Sequence, residues 1–150
     1  MNFDKNKNNI QIAAKWLSEK GYGIWLTGTR ERSDPAVKSI FGTTVIGTGL
    51  YLVGADGKAY LIANAIDAQE GRDSGVFDEV FTFSGNFEEV AKQVISEKFG
   101  PSKLLCMNYS PTNAFADGMK LGFWKKLTNL FPEDYDFRTS EELFELLDLS

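Results

Sequence analysis

The clearest structural signal in this chain lies in residues 43–63, which read TTVIGTGLYLVGADGKAYLIA. The first half, Thr43–Val53, is β-branched and apolar, and Lys58–Ala63 is a second run of the same kind. Between them, Asp56-Gly57 is a pair typical of tight hairpin turns. Two glycines interrupt the first run, which is typical of a bend or bulge within a strand. The stretch therefore predicts an antiparallel β-hairpin with a bent first strand.

Strands and helices alternate on both sides of this hairpin. Upstream, the pattern predicts a helix over residues 10–20, a short buried strand at Ile24–Thr27 and a short helix from Pro35 to Phe41. Downstream, it predicts strands at Val76–Phe83 and Lys103–Met107, a helix from Asn86 to Gly100-Pro101, a longer helix over Thr112–Phe131, an extended segment at Tyr135–Phe137 and a last helix opened by Thr139. This alternation predicts one α/β domain over residues 1–150, with a mixed sheet and helices on its faces.

The composition excludes several classes of protein. The 150 residues are 43% hydrophobic and 25% charged, which is ordinary for a soluble globular domain. A net charge of −5 argues against a general nucleic-acid-binding surface. A single cysteine excludes an internal disulfide, and the absence of histidine excludes Ser-His-Asp catalysis, Cys-His catalysis and every histidine-ligated metal site.

Targeting signals are not evident in the sequence. No segment approaches the roughly 18 consecutive apolar residues of a membrane span, and residues 1–9 are too polar for a signal peptide. We therefore expect a cytoplasmic protein that does not bind membranes. Asn108-Tyr109-Ser110 matches the glycosylation sequon, but without a secretion signal we interpret the match as accidental.

Three further features are interpreted as structural. Gly47-Thr48-Gly49 continues as a strand, whereas a dinucleotide-binding loop requires a helix at that point. Cys106 lies in an apolar run with no neighbouring cation, so we expect a buried and unreactive thiol. Gly118 and Gly122 are four residues apart on a predicted helix, which predicts close packing against another element or subunit.

Carboxylates are the remaining candidates for metal ligands or acid–base groups. Five of them fall in one stretch, a pattern compatible with a magnesium site, at Asp67, Glu70, Asp73, Asp78 and Glu79. Acidic residues near loops and helix starts also act as caps or as solvated charges. We favour this second interpretation.

The strongest functional candidate is the charged segment Thr29–Pro35, which reads TRERSDP. It follows the end of a strand, where α/β sheets place the loops that contact ligands. Arg30 and Arg32 carry planar guanidinium groups that can bind carboxylates. The alternative is a solvent-exposed loop in which Ser33 or Asp34 caps the following helix.

Several short motifs, taken in order, resemble the N-terminal domain of the creatinase/prolidase family. They are Trp25-Leu26-Thr27-Gly28, Arg32-Ser33-Asp34-Pro35, Phe41-Gly42, Asp67-Ala68, the strand into Phe81, Met107-Asn108-Tyr109-Ser110, Ala116-Asp117-Gly118-Met119 and Thr139-Ser140-Glu141-Glu142-Leu143. The resemblance covers nearly the whole chain. It implies a mixed sheet of about six strands flanked by helices on both faces, of the ribonuclease-H-like kind.

The same resemblance implies a function. In the family, this domain precedes the pita-bread catalytic domain of Xaa-Pro aminopeptidases and Xaa-Pro dipeptidases (prolidases). It shapes the mouth of the active site there and contributes to dimer contacts. Carried over to the matching loop, this predicts Arg30, Arg32 and Asp34 as substrate-binding residues of a homodimeric parent that acts on proline-containing peptides. The chain itself is then a non-catalytic accessory domain.

The resemblance also implies what residues 1–150 do not contain. The family's catalytic domain binds two divalent metal ions of the manganese type through Asp, Asp, His, Glu and Glu ligands. None of these ligands can be placed in this sequence, so we expect no catalytic residue, metal ion or cofactor here, and we expect the catalytic domain to lie outside this chain.

Other functions are compatible with the same fold. One is a free-standing binding or interaction module, and another is the N-terminal domain of a creatinase-like amidinohydrolase. A third is a small α/β enzyme that uses carboxylates and a divalent ion.

Overall fold

The computed structural model describes residues 2–100 and 102–150, and it shows one six-stranded mixed sheet between two layers of helices. The strands are β1 (Ile24–Arg30), β2 (Thr48–Gly54), β3 (Ala59–Ala63), β4 (Glu79–Thr82), β5 (Leu104–Met107) and β6 (Asp136–Thr139). The α-helices are α1 (Asp4–Lys20), α2 (Val37–Phe41), α3 (Ala65–Ser74), α4 (Phe87–Lys98) and α5 (Leu121–Thr128), and short 3₁₀ helices span Ala114–Ala116 and Glu141–Glu145. Within the described ranges, no helix is both long enough and apolar enough to cross a membrane.

The strand order is β4-β3-β2-β1-β5-β6. The pairs β1–β2 and β2–β3 are antiparallel, whereas β3–β4, β1–β5 and β5–β6 are parallel. The predicted α/β architecture, with about six strands and helices on both faces, is confirmed.

Side chains along the central strands alternate between the two faces of the sheet, so the interior consists of two hydrophobic cores, one on each face. Ile24 and Leu26 of β1 face the core beneath α4 and α5, whereas Trp25 between them faces the core beneath α1, α2 and α3. Because side chains in a strand point alternately to the two faces, a strand covered on both sides is apolar at every position. This explains the continuous apolar runs that predicted buried strands.

The hairpin is confirmed, but its first strand begins at Thr48 rather than at Thr43. The backbone N–H groups of Ile46 and Gly47 donate to the carboxylate of Asp67 instead of a neighbouring strand, at 3.2 Å each. A carboxylate from α3 therefore removes the expected start of β2 from the sheet.

The prediction for β1 is too short. The strand continues past Gly28 to Arg30, because Thr27 to Arg30 pair with Tyr51 to Thr48 of β2. Arg30 is therefore the last residue of a central strand rather than part of a free loop. Helix α2 ends at Phe41, as predicted, but begins at Val37, two residues after the predicted start at Pro35.

Helix α3 was not predicted from the sequence. Its buried face consists of small or polar residues, including Ala68, Gly71 and Ser74, so it lacks an apolar stripe at helical spacing. The small face is required for packing, because a Cβ at Gly71 would lie 2.6 Å from a methyl carbon of Leu61.

The long helix predicted over Thr112–Phe131 is wrong, since only a 3₁₀ turn and the eight-residue α5 form. The N–H groups of Gly118 and Met119 donate to the carbonyl of Asn108, at 3.1 and 3.0 Å. These tertiary hydrogen bonds replace the helical ones.

The two capping boxes predicted at helix starts do not form. The side chain of Asn86 accepts from Ser84 N–H and not from α4, and the segment after Thr139 is a 3₁₀ helix. Other boundaries also differ, since α1 begins at Asp4 and β4 covers only part of the predicted Val76–Phe83. Helix α4 ends at Lys98, and Pro101, predicted to help end it, lies outside the described residues.

Candidate functional site

The candidate segment forms a tight turn at the carboxyl end of β1, which we call the β1 turn (residues 30–34). The N–H of Ser33 donates to the carbonyl of Arg30 at 3.2 Å, and the N–H of Arg30 donates to Ser33 Oγ at 3.1 Å. Glu31 and Arg32, the two central residues, have φ of 53° and 60°. They are the described non-glycine residues with positive φ, and this left-handed conformation is unfavourable for side chains of their size.

This backbone geometry makes a stability prediction. Glycine occupies positive φ without steric cost, so Arg32→Gly should raise the free energy of unfolding by about 0.5–1 kcal/mol. Lys38→Gly is the matched control, because Lys38 is an exposed basic residue in helical backbone and should lose about 1 kcal/mol. Urea unfolding measures both. Destabilisation by both variants would show that the Arg32 side chain itself stabilises the turn.

The two arginines of the β1 turn are exposed and differ in how they are held. The guanidinium carbon of Arg30 lies 5.2 Å from the ring centroid of Phe123, a cation–π contact that orients the group. The guanidinium also lies close to the start of α5, where a Cβ at Gly122 would make an ordinary contact with an Arg30 nitrogen at 3.7 Å. The Arg32 side chain enters none of the hydrogen bonds or ion pairs found within residues 2–100 and 102–150. Both cationic groups are accessible to a ligand.

Asp34, in contrast, is buried beneath the β1 turn. One carboxylate oxygen accepts from the N–H of Ala36 at 2.8 Å, and the other accepts from the side-chain amide of Asn108 at 2.9 Å. Its own N–H donates to Thr29 Oγ1 at 3.3 Å. Asp34 therefore positions the turn and the residues before α2, although it is buried and the N-cap residue of α2 is Ala36 rather than Ser33 or Asp34.

Asn108 links Asp34 to three strands of the sheet. Its side-chain oxygen accepts from Trp25 Nε1 at 2.7 Å and from Ser140 Oγ at 2.6 Å. Its side-chain nitrogen donates to Asp34, and both residues are almost completely shielded from solvent. Because every polar atom of the Asn108 side chain is paired, the residue joins the ends of β1, β5 and β6 into one hydrogen-bonded unit.

Gly118 is needed for this arrangement. A Cβ at Gly118 would lie 2.2 Å from a carboxylate oxygen of Asp34. Of the two glycines predicted to allow close packing, Gly118 does so, against Asp34 beneath the β1 turn, whereas a Cβ at Gly122 would make only an ordinary contact. Gly118 itself precedes α5 and is not helical.

The pKa of the Asp34 carboxyl is raised above its ordinary value of 3.8, chiefly because burial removes the charged form from water. The hydrogen bonds from Asn108, Ala36 and Val37 act in the opposite direction but do not cancel the effect of burial. Between the ordinary and the raised pKa, the folded state therefore binds more protons at this site than the unfolded state does.

This shift predicts a pH dependence of stability. The free energy of unfolding of wild type minus that of Asp34→Asn, which cannot titrate, should decrease as the pH rises from about 4 through the folded pKa and should then become constant. Asp134→Asn is a control of opposite sign, since Lys103 lowers the pKa of the exposed Asp134. Urea unfolding between pH 3 and 8 tests both, and a difference for Asp34 that grows with pH would contradict the prediction.

The structure disperses the five candidate metal-binding carboxylates. Asp67 accepts from Asn64 Nδ2 at 2.9 Å and from the N–H groups of Ile46 and Gly47. Asp78 accepts from the N–H of Ala59, and Glu79 pairs with Lys98. Among the described residues, no group of three or more potential ligands is placed to hold a metal ion.

Two other sequence motifs are also buried. Cys106 has no exposed surface, and burial raises the pKa of its thiol, so the unreactive interpretation is supported. Asn108 of the sequon is likewise fully buried, and a glycan cannot be attached there in the folded protein.

Exposed apolar residues lie beside the β1 turn. Ile46, Ile66 and Leu121 are 61%, 87% and 69% exposed. The N–H of Ile46 donates to Asp67 in the first turn of α3, next to Ile66. The N–H of Glu31 donates to the carbonyl of Gly47 at 3.2 Å, which places the β1 turn beside this segment. On the other side, Leu121 precedes Gly122, which Arg30 approaches. The three exposed side chains therefore lie on segments that flank the β1 turn, and we call them, together with the turn, the β1-turn strip.

Sequence reasoning identified the β1 turn but assigned no role to Asn108 or Ser140. Asn108 was visible as a polar residue directly after a buried strand, a position that favours functional or structural hydrogen bonding. Its partners come from positions 25, 34 and 140, and the local sequence gives no indication of these contacts.

Comparison with known proteins gives matches at the level of structure. No family model matches the chain, and no curated protein sequence matches it significantly. An X-Pro aminopeptidase from Thermotoga maritima superposes with a TM-score of 0.69 at 16% identity, over 91% of this chain and 35% of that one. A proline dipeptidase from Streptococcus pneumoniae gives 0.71 at 13% identity, over 91% and 94%.

A third structure identifies the fold. The creatinase/prolidase N-terminal domain of an X-Pro dipeptidase from Streptococcus pyogenes gives a TM-score of 0.66 at 15% identity, over 95% of this chain and 99% of that one. The chain thus spans about a third of the length of the aminopeptidase and almost all of the domain structure. The fold implied by the resemblance, that of the creatinase/prolidase N-terminal domain, is confirmed.

Proposed function

We propose that residues 1–150 are the non-catalytic N-terminal domain of a cytoplasmic Xaa-Pro peptidase of the aminopeptidase or prolidase type. The main support is the pattern of coverage, because the chain matches a separate domain from end to end and about a third of a larger X-Pro aminopeptidase. In this proposal the two divalent metal ions of the parent are bound by its catalytic domain. The described residues of this chain contain no group of ligands for them.

The β1 turn is proposed to border the active site of the parent. Arg30 and Arg32 present two exposed guanidinium groups from the end of a rigid central strand. A planar guanidinium binds a carboxylate through two parallel hydrogen bonds, which suits the terminal carboxylate of a peptide or an acidic residue facing the turn. Asp34 contributes by fixing the turn from below through Asn108 and Ala36.

The β1-turn strip is proposed to contact a second subunit. The strip combines exposed isoleucine and leucine side chains with arginine; exposed apolar side chains grouped on a surface mark interaction sites, and arginine is enriched at interfaces. Glu31 and Arg32 are adjacent, exposed and oppositely charged. Across a twofold axis through the turn, Glu31 of each subunit would face Arg32 of the other, so the strip is complementary to itself.

Two experiments test these roles. The reading frame beyond Ser150 should encode the Asp, Asp, His, Glu and Glu ligands of a pita-bread domain, and a frame without them would favour the free-standing binding module.

In the complete protein, Glu31→Arg or Arg32→Glu should each weaken dimerisation about tenfold or more, because attraction becomes repulsion at both symmetry-related contacts. An equimolar mixture of the two variants should restore a heterodimer in sedimentation, and unchanged dimerisation of both variants would remove the turn from the interface.

A further inference from the structure

Along the outer edge of the sheet, the main-chain groups of β4 that point away from β3 have no hydrogen-bond partner among residues 2–100 and 102–150. Asp78 N–H donates to the Ala59 carbonyl at 2.8 Å, and Val80 pairs with Leu61 in the parallel register. Successive residues of a strand direct their main-chain groups to opposite sides. The N–H and C=O groups of Glu79 and Phe81 therefore point away from β3. A strand edge of this kind can pair with another extended segment.

A groove of about 370 Å³ runs along this edge between α3 and α4. On the α4 side, half-buried Phe81 and Val90 and buried Val94 form the apolar part of the wall, and Gln93 and Glu97 line its outer part. On the α3 side, Val80 packs against the core, and Arg72 lines the opening. The groove therefore has a main-chain edge between a mainly apolar surface of Phe81, Val90 and Val94 on the α4 side and the cationic Arg72 on the α3 side.

The charge of Arg72 is available to a ligand. Its guanidinium lies 3.5 Å from the Val80 carbonyl, and none of the five ion pairs among the described residues includes it. A segment paired with β4 would place alternate side chains on the two faces of the sheet. Those facing α4 would meet Val90 and Val94, and those facing α3 would meet Arg72.

We propose that the free edge of β4 binds an extended peptide segment by strand addition. The segment has apolar side chains at alternate positions facing α4 and a carboxylate side chain between them facing Arg72. Main-chain hydrogen bonds to Glu79 and Phe81 provide the pairing, and Arg72 selects the acidic residue. This site is three strands away from β1 in the sheet order and does not depend on the proposed function of the β1 turn.

The probe is the acetylated and amidated peptide Thr-Val-Glu-Val-Thr, titrated into the ¹⁵N-labelled chain and followed by NMR. Shift changes should be confined to β4 and the facing residues of α3 and α4. The amide hydrogens of Glu79 and Phe81 should exchange more slowly with solvent when the peptide is bound. Changes centred elsewhere, or none at millimolar peptide, would overturn the proposal.

Two sets of variants separate the charge from the main-chain pairing. Arg72→Glu should reverse the preference for this peptide over its lysine counterpart, by about fivefold, whereas Lys92→Glu on α4 should leave the preference unchanged. Phe81→Pro removes an outward N–H that β3 does not use, so it should bind about tenfold more weakly than Phe81→Ala. Equal binding by the two Phe81 variants would exclude strand addition. Sedimentation of a dimer that the peptide dissociates would show a second copy as the natural occupant and would also overturn the proposal.

Discussion

Replacing Asn108 with alanine is expected to lower the free energy of unfolding by about 3–5 kcal/mol. The substitution removes the acceptor for Trp25 Nε1 and for Ser140 Oγ, and it removes the donor to the buried carboxylate of Asp34. A buried polar group that loses its partner keeps the full cost of leaving water, which is larger for a charged group. For a chain of this length the loss corresponds to a fall in Tm of about 10–15 °C.

Two variants define this effect. Asn129→Ala changes an exposed asparagine next to α5 and should alter stability by less than about 0.5 kcal/mol. Asn108→Asp keeps the volume but places a second carboxylate against Asp34, so its loss at pH 7 should be large and should decrease as the solution is acidified. Calorimetry and urea unfolding measure all three. A loss below about 1 kcal/mol for Asn108→Ala would show that water replaces the side chain and that its hydrogen bonds to Trp25, Asp34 and Ser140 are not required for stability.

Replacing Arg30 or Arg32 with alanine in the complete protein is expected to lower kcat/KM for Xaa-Pro peptides by about tenfold to a hundredfold. A hydrogen bond between charged groups contributes about 1.5–3 kcal/mol, and its loss at a substrate carboxylate appears directly in kcat/KM. Stability should change little. Loss of the cation–π contact with Phe123 should cost Arg30→Ala up to about 1 kcal/mol, and Arg32→Ala should cost less than about 0.5 kcal/mol.

Arg30→Lys and Arg32→Lys are the informative controls, because lysine keeps the charge but not the planar pair of donors. Partial recovery of kcat/KM would indicate simple charge attraction, and no recovery would indicate bidentate binding of a carboxylate. Unchanged turnover in both alanine variants would reduce the β1 turn to a solvated connection whose role is to support α2. A large fall in Tm would instead make the arginines structural.

The proposed role of the β1 turn in substrate binding also accounts for the left-handed backbone conformation of Glu31 and Arg32. Residues held in unfavourable φ/ψ regions occur often at functional sites, where the surrounding structure maintains them. Here Asp34, Asn108 and the Asp67-bound segment provide that support. If Arg32→Gly raises stability while lowering turnover, the strained backbone at residue 32 costs stability but is needed to place the Arg32 side chain for substrate binding.

Much of the fold was predictable because its signals are local. The Asp56-Gly57 turn lies between two apolar runs. Side chains of a strand alternate between the two faces of the sheet, and because both faces are buried the strands are apolar at every position. The charged segment after β1 was also recognisable as a candidate site, since its position at a strand end follows from the order of residues alone. In each case the physical cause acts over a few neighbouring residues.

The remaining features depend on partners that are distant in the chain. The carbonyl of Asn108 accepts hydrogen bonds from the N–H groups of Gly118 and Met119, which interrupts the predicted long helix. The carboxylate of Asp67 accepts from the N–H groups of Ile46 and Gly47, so these residues do not join β2. The sequence by itself determined that the strands, the hairpin and the charged segment at the end of β1 exist, although not where every strand begins and ends. Only the tertiary structure decided that Asp34 is buried while Arg30 and Arg32 are exposed. The long-range hydrogen bond that Asp34 accepts comes from Asn108, which the parallel pairing of β5 with β1 brings beneath the turn.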